Sequence, residues 1–320
     1  MTFNVTFFSI FSSPGFSLKW LKTLIKNKET IIHIHNWFNL ISIKQLQKII
    51  LLGIPIVITL HDERLITGGC HYSLDCGQFH TACKKCPKIN PLLRHKVRKN
   101  SKELGQLFNN SHKNLKLATP SNFMVRQALR SSIMKSQNVI FLPNPIPNYI
   151  QSKGPRDKIE LRSTFRVGVA SANPYHLIKG GDLIIELEQY LEANSSDIEI
   201  VYLANFPSQA HFDFWNSLDC LLVPSRADNS PNVIHEAKQF GLPIIATSVG
   251  GIAEVLYPEM DIPINISKLS INTILHAINE IKSREYDDKT IKQMQKAYLE
   301  YVGEPANKVI QIYLELLSVK

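Results

Sequence analysis

The alternation of short apolar runs with segments of helical spacing constrains this chain more than any other feature. Runs rich in β-branched residues recur at Ile31–His35, Ile54–Leu60, Leu115–Thr119 and Val139–Leu142, then at Phe165–Ala170, Glu199–Ala204, Asp219–Val223 and Pro243–Thr247. Between them, Ser42–Leu52, Phe123–Ser131, Asp182–Leu191 and Pro231–Phe240 carry apolar residues at helical spacing. Strands that are apolar at nearly every position are buried on both faces, and the helices between them supply the cover. The expected fold is α/β with doubly wound parallel sheets. The alternation breaks at "LPNPIPNYIQSKGPRDK" (142–158), where prolines and polar residues read as an interdomain hinge. This divides the chain into 1–147 and 148–320, the second part including the C-terminal helices, of which "NKVIQIYLELL" has a clean amphipathic face.

At 320 residues and 44% hydrophobic content, two packed cores are affordable. The longest apolar stretch, "IILLGIPIVITL", is 12 residues broken by Gly53 and Pro55, too short to span a bilayer. The opening "MTFNVTFFSIFSSPGF" lacks a basic n-region and a clear cleavage site, so it reads as folded chain rather than signal peptide. A cytoplasmic protein is expected. The net charge of +9 suits nucleic acid, anionic lipid or phosphorylated ligands alike. Its local rise at 84–102 reads either as solvated surface or as a peripheral contact with anionic membrane. Without interleaved aromatic and basic residues or a recognition-helix pattern, nucleic acid is not expected as a partner.

"SRADNSPNVIHEA" (225–237) follows a buried strand and opens a helix. In an open α/β sheet, ligands bind at the carboxyl ends of strands. Asn232 and Val233 fall in the helix's first turn, where unpaired backbone N–H groups favour a phosphate. Glu236, one turn in, repels a phosphate, but a carboxylate there can accept two ribose hydroxyls. Asp228 can do the same for a hexose. The plainer alternative is that Asp228 or Ser230 caps the helix, with Pro231 in its first turn. "ASANPYHLIKGGDLII" (170–185) places Lys179 before Gly180 and Gly181, a lysine to neutralise a diphosphate and glycines that admit a close backbone approach, although such turns are common on surfaces. "TLHD" sets His61 at the end of another strand, where one histidine is most simply a satisfied core group.

"SRADNSPNVIHEAKQFGLPIIATSVGGIAEVL" resembles the signature of retaining glycosyltransferases with the GT-B fold, often called family 4: an acid, seven residues and a glutamate, matched by Asp228 and Glu236. Asn229, Ser230, Pro231 and Asn232 are similar to the variant in enzymes that build bacterial exopolysaccharide, O-antigen or colanic acid. The resemblance implies two Rossmann-like domains facing a cleft. It also implies transfer of a hexose, with retention, from a nucleotide-diphosphate sugar to a lipid-linked or oligosaccharide acceptor at the inner membrane face. Lys179 and Gly180 would bind the donor diphosphate with Asn229, Asn232 and Val233, Asp228 and Glu236 would hold sugar and ribose, and His61 would contact the sugar. No cofactor is implied for catalysis. Where the family places an arginine, Ala170 and Ser171 stand here. Family members also carry further elements before their equivalent of "IIHIHN", whereas 30 residues precede Ile31, so an incomplete N-terminal domain is expected. A nucleotide-sugar-binding paralogue without turnover is the alternative.

"CHYSLDCGQFHTACKKCP" gathers Cys70, Cys76, Cys83 and Cys86 in 17 residues. Cys83 and Cys86 form a good zinc half-site, four thiolates close a structural tetrahedron, and His71 or His80 can replace a cysteine. Reduced thiols and a disulfide are the alternatives, and a similar block recurs in the glycosyltransferase subgroup. Cys220, in a strand, reads as core.

Overall fold

The computed structural model describes residues 18–25, 30–35, 37, 40–109, 112–134, 137–146, 163–203 and 210–318. Two compact units divide the chain, residues 1–143 with 304–320, and residues 144–303. Most of the expected hinge over 142–158 lies outside the described residues, as does Ala204 at the end of one expected strand.

The first unit is built on a four-stranded parallel sheet, β1 (Ile32–Ile34), β2 (Ile56–Thr59), β3 (Leu115–Thr119) and β4 (Val139–Phe141), in consecutive order. Successive strand residues point to opposite faces. Ile56 and Ile58 therefore pack with α2 (Ile43–Ile50), α3 (Arg94–Asn109) and α4 (Asn122–Arg130) in one core, which also takes Leu21 of α1 (Leu18–Leu24). Val57 and Ala118 point the other way and meet Ile312 and Leu316.

Those last two residues belong to the C-terminal helix Pro305–Ser318, which covers the second face of the first sheet. The division at 147/148 therefore needs correcting, because the final helix returns to the N-terminal unit. An amphipathic face specifies that something is covered, not which sheet it covers.

The second unit has five parallel strands, β5 (Phe165–Val169), β6 (Ile198–Tyr202), β7 (Cys220–Val223), β8 (Ile244–Thr247) and β9 (Ile262–Ile264), in the order β6-β5-β7-β8-β9. Helices α5 (Gly181–Ala193) and α8 (Ile271–Ser283) cover one face and α6 (His211–Asn216) and α7 (Asn232–Gln239) the other. Helix α9 (Asp288–Val302) follows, and the C-terminal helix is α10. From β5 the chain winds outward to β6, then returns to place β7 on the opposite side of β5. This reversal, which defines a doubly wound sheet, lies in the second unit; the described strands of the first show none. The crevice it opens, beyond the ends of β5 and β7, is the general ligand position of open α/β sheets.

Candidate functional site

Three loops meet at that switch point, and Asp228 is at their centre. Lys179, at the end of the loop after β5, donates to one Asp228 carboxylate oxygen. The other oxygen accepts from the Ser230 backbone N–H at 3.2 Å. The third loop follows β8: Gly251 N–H donates to the Asp228 carbonyl at 3.1 Å. Gly250 has a φ of +58°, and a Cβ there would lie 1.8 Å from that carbonyl oxygen, so only glycine fits. Gly180 is similarly constrained, with a φ of +79° and its Cβ position 2.3 Å from the Pro224 carbonyl. The glycines expected to admit a ligand thus first admit other loops. Asp228 has 8% of its side chain exposed and Lys179 31%, so the acid is fixed while its cation remains accessible to solvent.

Arg226 escaped the sequence reading. Its guanidinium binds both oxygens of Asp182 at 2.6 and 2.7 Å and the Leu177 carbonyl at 2.7 Å, while its backbone N–H donates to Ile178 at 2.7 Å. The bidentate bond holds Asp182 below the usual carboxylate range. Arg226 thereby ties the loop carrying Asp228 to the loop carrying Lys179. These opposite charges stand 44 positions apart, so no local pattern announces the pair.

Helix α7 begins at Asn232, one residue later than expected. Its N-cap is Pro231 and no side chain caps it, so the capping alternative for Asp228 and Ser230 is set aside. Asn229 is buried in the preceding loop, and the Asn232 side-chain oxygen accepts from Asn144 at 2.8 Å. Val233 is half-buried at the second helical position. Glu236, one turn on, is half-buried, and burial raises its carboxyl above the ordinary range. The buried Trp215 indole N–H reaches no partner within normal hydrogen-bond geometry, yet it offsets part of that rise. On the same helix His235, buried, pairs with the Ser230 hydroxyl at 3.2 Å, and burial lowers it to about 4.

In the first unit, His61 follows β2 and forms a 3.1 Å hydrogen bond through Nε2 to Nδ1 of His35, which follows β1. His35 stacks on His33 at 4.0 Å, and His33 binds the Tyr313 hydroxyl at 2.7 Å and the Thr59 hydroxyl at 2.8 Å. Burial lowers all three histidines, His33 and His61 to about 4, so both of these are neutral at physiological pH. The period of two puts His33 and His35 on one side of the chain, and tertiary packing brings His61 to them. Asp62 is committed elsewhere: it caps the turn Glu63–Leu65 and pairs with Arg64.

The four clustered cysteines form no disulfide in this structure. Cys83 and Cys86 join Phe79 and Val97 in a small core, and Cys83 Sγ accepts from Gly68 N–H at 3.3 Å. Burial pushes the Cys83 thiol up to about 11 and the Cys70 thiol higher. Cys76 is partly exposed. Among the described residues no group of three or more His, Cys, Asp or Glu side chains is placed to hold a metal ion. Cys220 is core, as expected.

The model of the family "Glycosyl transferases group 1" matches residues 169–283, from the last residue of β5 to the last of α8. A comparison of the sequence with curated proteins gives no match. Among solved structures, sucrose-phosphate synthase from Thermosynechococcus elongatus is similar, with a TM-score of 0.63 at 15% identity, over 94% of this chain and 77% of that one. HepE from Anabaena, solved in complex with UDP, has a TM-score of 0.56 at 15% identity, over 93% and 82%. A glycosyltransferase from Rickettsia africae has 0.54 at 11%, over 94% and 81%. At these identities the likeness is one of fold, and the fold is the expected one: two Rossmann-like units with parallel sheets.

Proposed function

We propose that this chain is a glycosyltransferase that moves a hexose, with retention of configuration, from a nucleotide-diphosphate sugar to a lipid-linked polysaccharide acceptor at the inner face of the cell membrane. The observation that carries the reading is the Lys179–Asp228 pair at the switch point, with Glu236 eight positions on, inside the stretch that matches the glycosyl transferase family model. The donor diphosphate would draw the Lys179 ammonium toward its oxygens and lie against the uncapped start of α7. Asp228, once released, would accept hexose hydroxyls, and Glu236 the ribose hydroxyls. The bond from the anomeric carbon to the diphosphate breaks as the acceptor oxygen bonds to the same face. The departing diphosphate takes the acceptor's proton, with Lys179 offsetting its charge. His61, being neutral, would position the sugar by hydrogen bonding rather than by charge.

A uridine donor is the first to test, since the similar Anabaena structure holds UDP. The experiment is a thermal-shift and calorimetric panel of UDP-, GDP- and ADP-sugars on the full chain and on Glu236→Ala. Hydrogen bonds to a charged group contribute about 1.5–3 kcal/mol each, so the variant should bind the preferred donor at least about tenfold more weakly. Equal affinity in the two proteins would overturn the assignment of Glu236. A folded wild type that binds no donor would overturn the reading as a whole.

A further inference from the structure

Between Asp75 and Glu103 the chain has no acidic residue, and residues 84–102 carry eight lysines and arginines. Many of them lie on α3, whose buried stripe is Val97, Ser101, Leu104, Leu107 and Phe108. Its outward face presents His95, Arg98, Lys99 and Lys102. Lys84 and Lys85 are exposed on the loop that packs against the helix through Cys83, Cys86 and Val97. Immediately before the helix, Leu92 is 81% exposed.

Arg94 donates to the Cys86 carbonyl at 2.9 Å and Lys88 to the Ser73 carbonyl, but neither helix stability nor packing explains the outward-facing cations. Cations at a helix N-terminus oppose the macrodipole, and the first turn of α3 contains no acid. Arg94 with Arg98, and Arg98 with Lys102, are like charges four apart, a spacing that destabilises a helix. Lys99 is offset by Glu103 at 4.0 Å. Leu92 makes no use of the core beside it. Repelling cations beside a protruding leucine gain from contact with a surface that is both anionic and apolar.

We propose that the N-terminal half of α3, with Lys84, Lys85 and Leu92, is a docking surface for an anionic lipid bilayer. The cations meet lipid headgroups and Leu92 enters the interface. Nucleic acid suits the face less well, because Tyr72, Phe79 and Phe108, the tyrosine and phenylalanines between 70 and 109, are buried and cannot stack on bases. The surface lies in the first unit and does not depend on the donor reading, although it would bring a transferase to a lipid-linked acceptor.

The experiment is co-sedimentation of the full chain with phosphatidylcholine vesicles, with and without one third phosphatidylglycerol. Binding is expected only with the anionic lipid, and should be lost at about 1 M salt, where the Debye length is about 3 Å. R98E/K99E/K102E should lower the partition coefficient at least about tenfold. The control K289E/K292E/K296E makes the same charge change on α9 of the second unit and should lower it far less. Leu92→Ser should give a smaller loss. Circular dichroism confirms that each variant is folded. Equal binding to neutral vesicles, or equal losses in the two triple variants, would overturn the proposal. So would tighter binding to RNA than to vesicles with no effect of Leu92→Ser, which would mark a polyanion site instead.

Discussion

Helix α7, which carries Asn232 and Glu236, is anchored by a buried ion pair whose removal gives a bounded prediction. Lys238 pairs with Asp261, with side-chain exposures of 1% and 0%. The second partners of Asp261 are backbone groups: Ile244 N–H at 3.0 Å and Tyr257 N–H at 2.6 Å. Burial lowers the lysine and raises the aspartate, while each opposes the other's shift. Lys238→Met would leave a carboxylate without its cation, a change that costs about 3–5 kcal/mol in buried pairs. Protonation limits the electrostatic part: neutralising an aspartate of ordinary pKa at pH 7 takes about 4 kcal/mol. The sign follows. A carboxyl whose folded pKa is raised imposes no penalty below its unfolded pKa, and stability is lost as pH rises through the folded value. The loss in Lys238→Met should therefore be near 4 kcal/mol at pH 7 and shrink by up to about 1.4 kcal/mol per pH unit toward pH 4. In a unit of this size that is roughly 8–16 °C in melting temperature at pH 7. Scanning calorimetry of wild type and variant at pH 5 and pH 7 is the assay. A loss under about 1 kcal/mol at pH 7, or the same loss at both pH values, would refute the reasoning. Asp261→Leu should be worse than Lys238→Met, because two backbone N–H groups also lose their acceptor.

Three further outcomes follow from the site. Gly250→Ala should dislodge Asp228 and abolish donor binding, measured by calorimetry, with a loss of stability of about 1 kcal/mol or more from the positive φ alone; full donor affinity would mean that this contact does not hold the acid. Arg226→Ala should weaken donor binding by about tenfold through loss of loop positioning, and the swap Arg226→Asp with Asp182→Arg should recover part of it; a swap no better than the single variants would count against the tie. His61→Ala should leave donor affinity unchanged and lower transfer, and wild-type transfer should show no titration of His61 between pH 6 and pH 8, since its pKa is near 4; a histidine-like inflection at pH 6–7 that disappears in the variant would show that it acts through its charge.

What the sequence determined by itself is local. Apolar runs such as Ile56–Thr59 and Ile244–Thr247 marked strands buried on both faces, because parallel sheets need residues of this kind at every position. Asp228, Glu236, Lys179 and the glycines were legible because the chemistry of a strand-end loop is written in consecutive residues. Some local features stayed hidden for equally physical reasons. Strand β9 contains Pro263, tolerated only because β9 lies at the sheet edge, where a missing N–H leaves no partner unpaired. Helix α3 was masked by cations, its buried stripe interrupted by residues that serve the outer face. Tertiary structure alone decided the rest. It returned α10 to the first sheet, where Ile312 and Leu316 cover the face of Val57 and Ala118, opposite the face on which the described helices α2 to α4 pack. It joined Arg226 to Asp182 and His35 to His61, and packed Cys83 and Cys86 with Phe79 and Val97 in a small core. Periodicity records which face of an element is apolar and spacing records what a loop can bind, but the partner across the fold is chosen by packing, and packing joins residues that the chain keeps far apart.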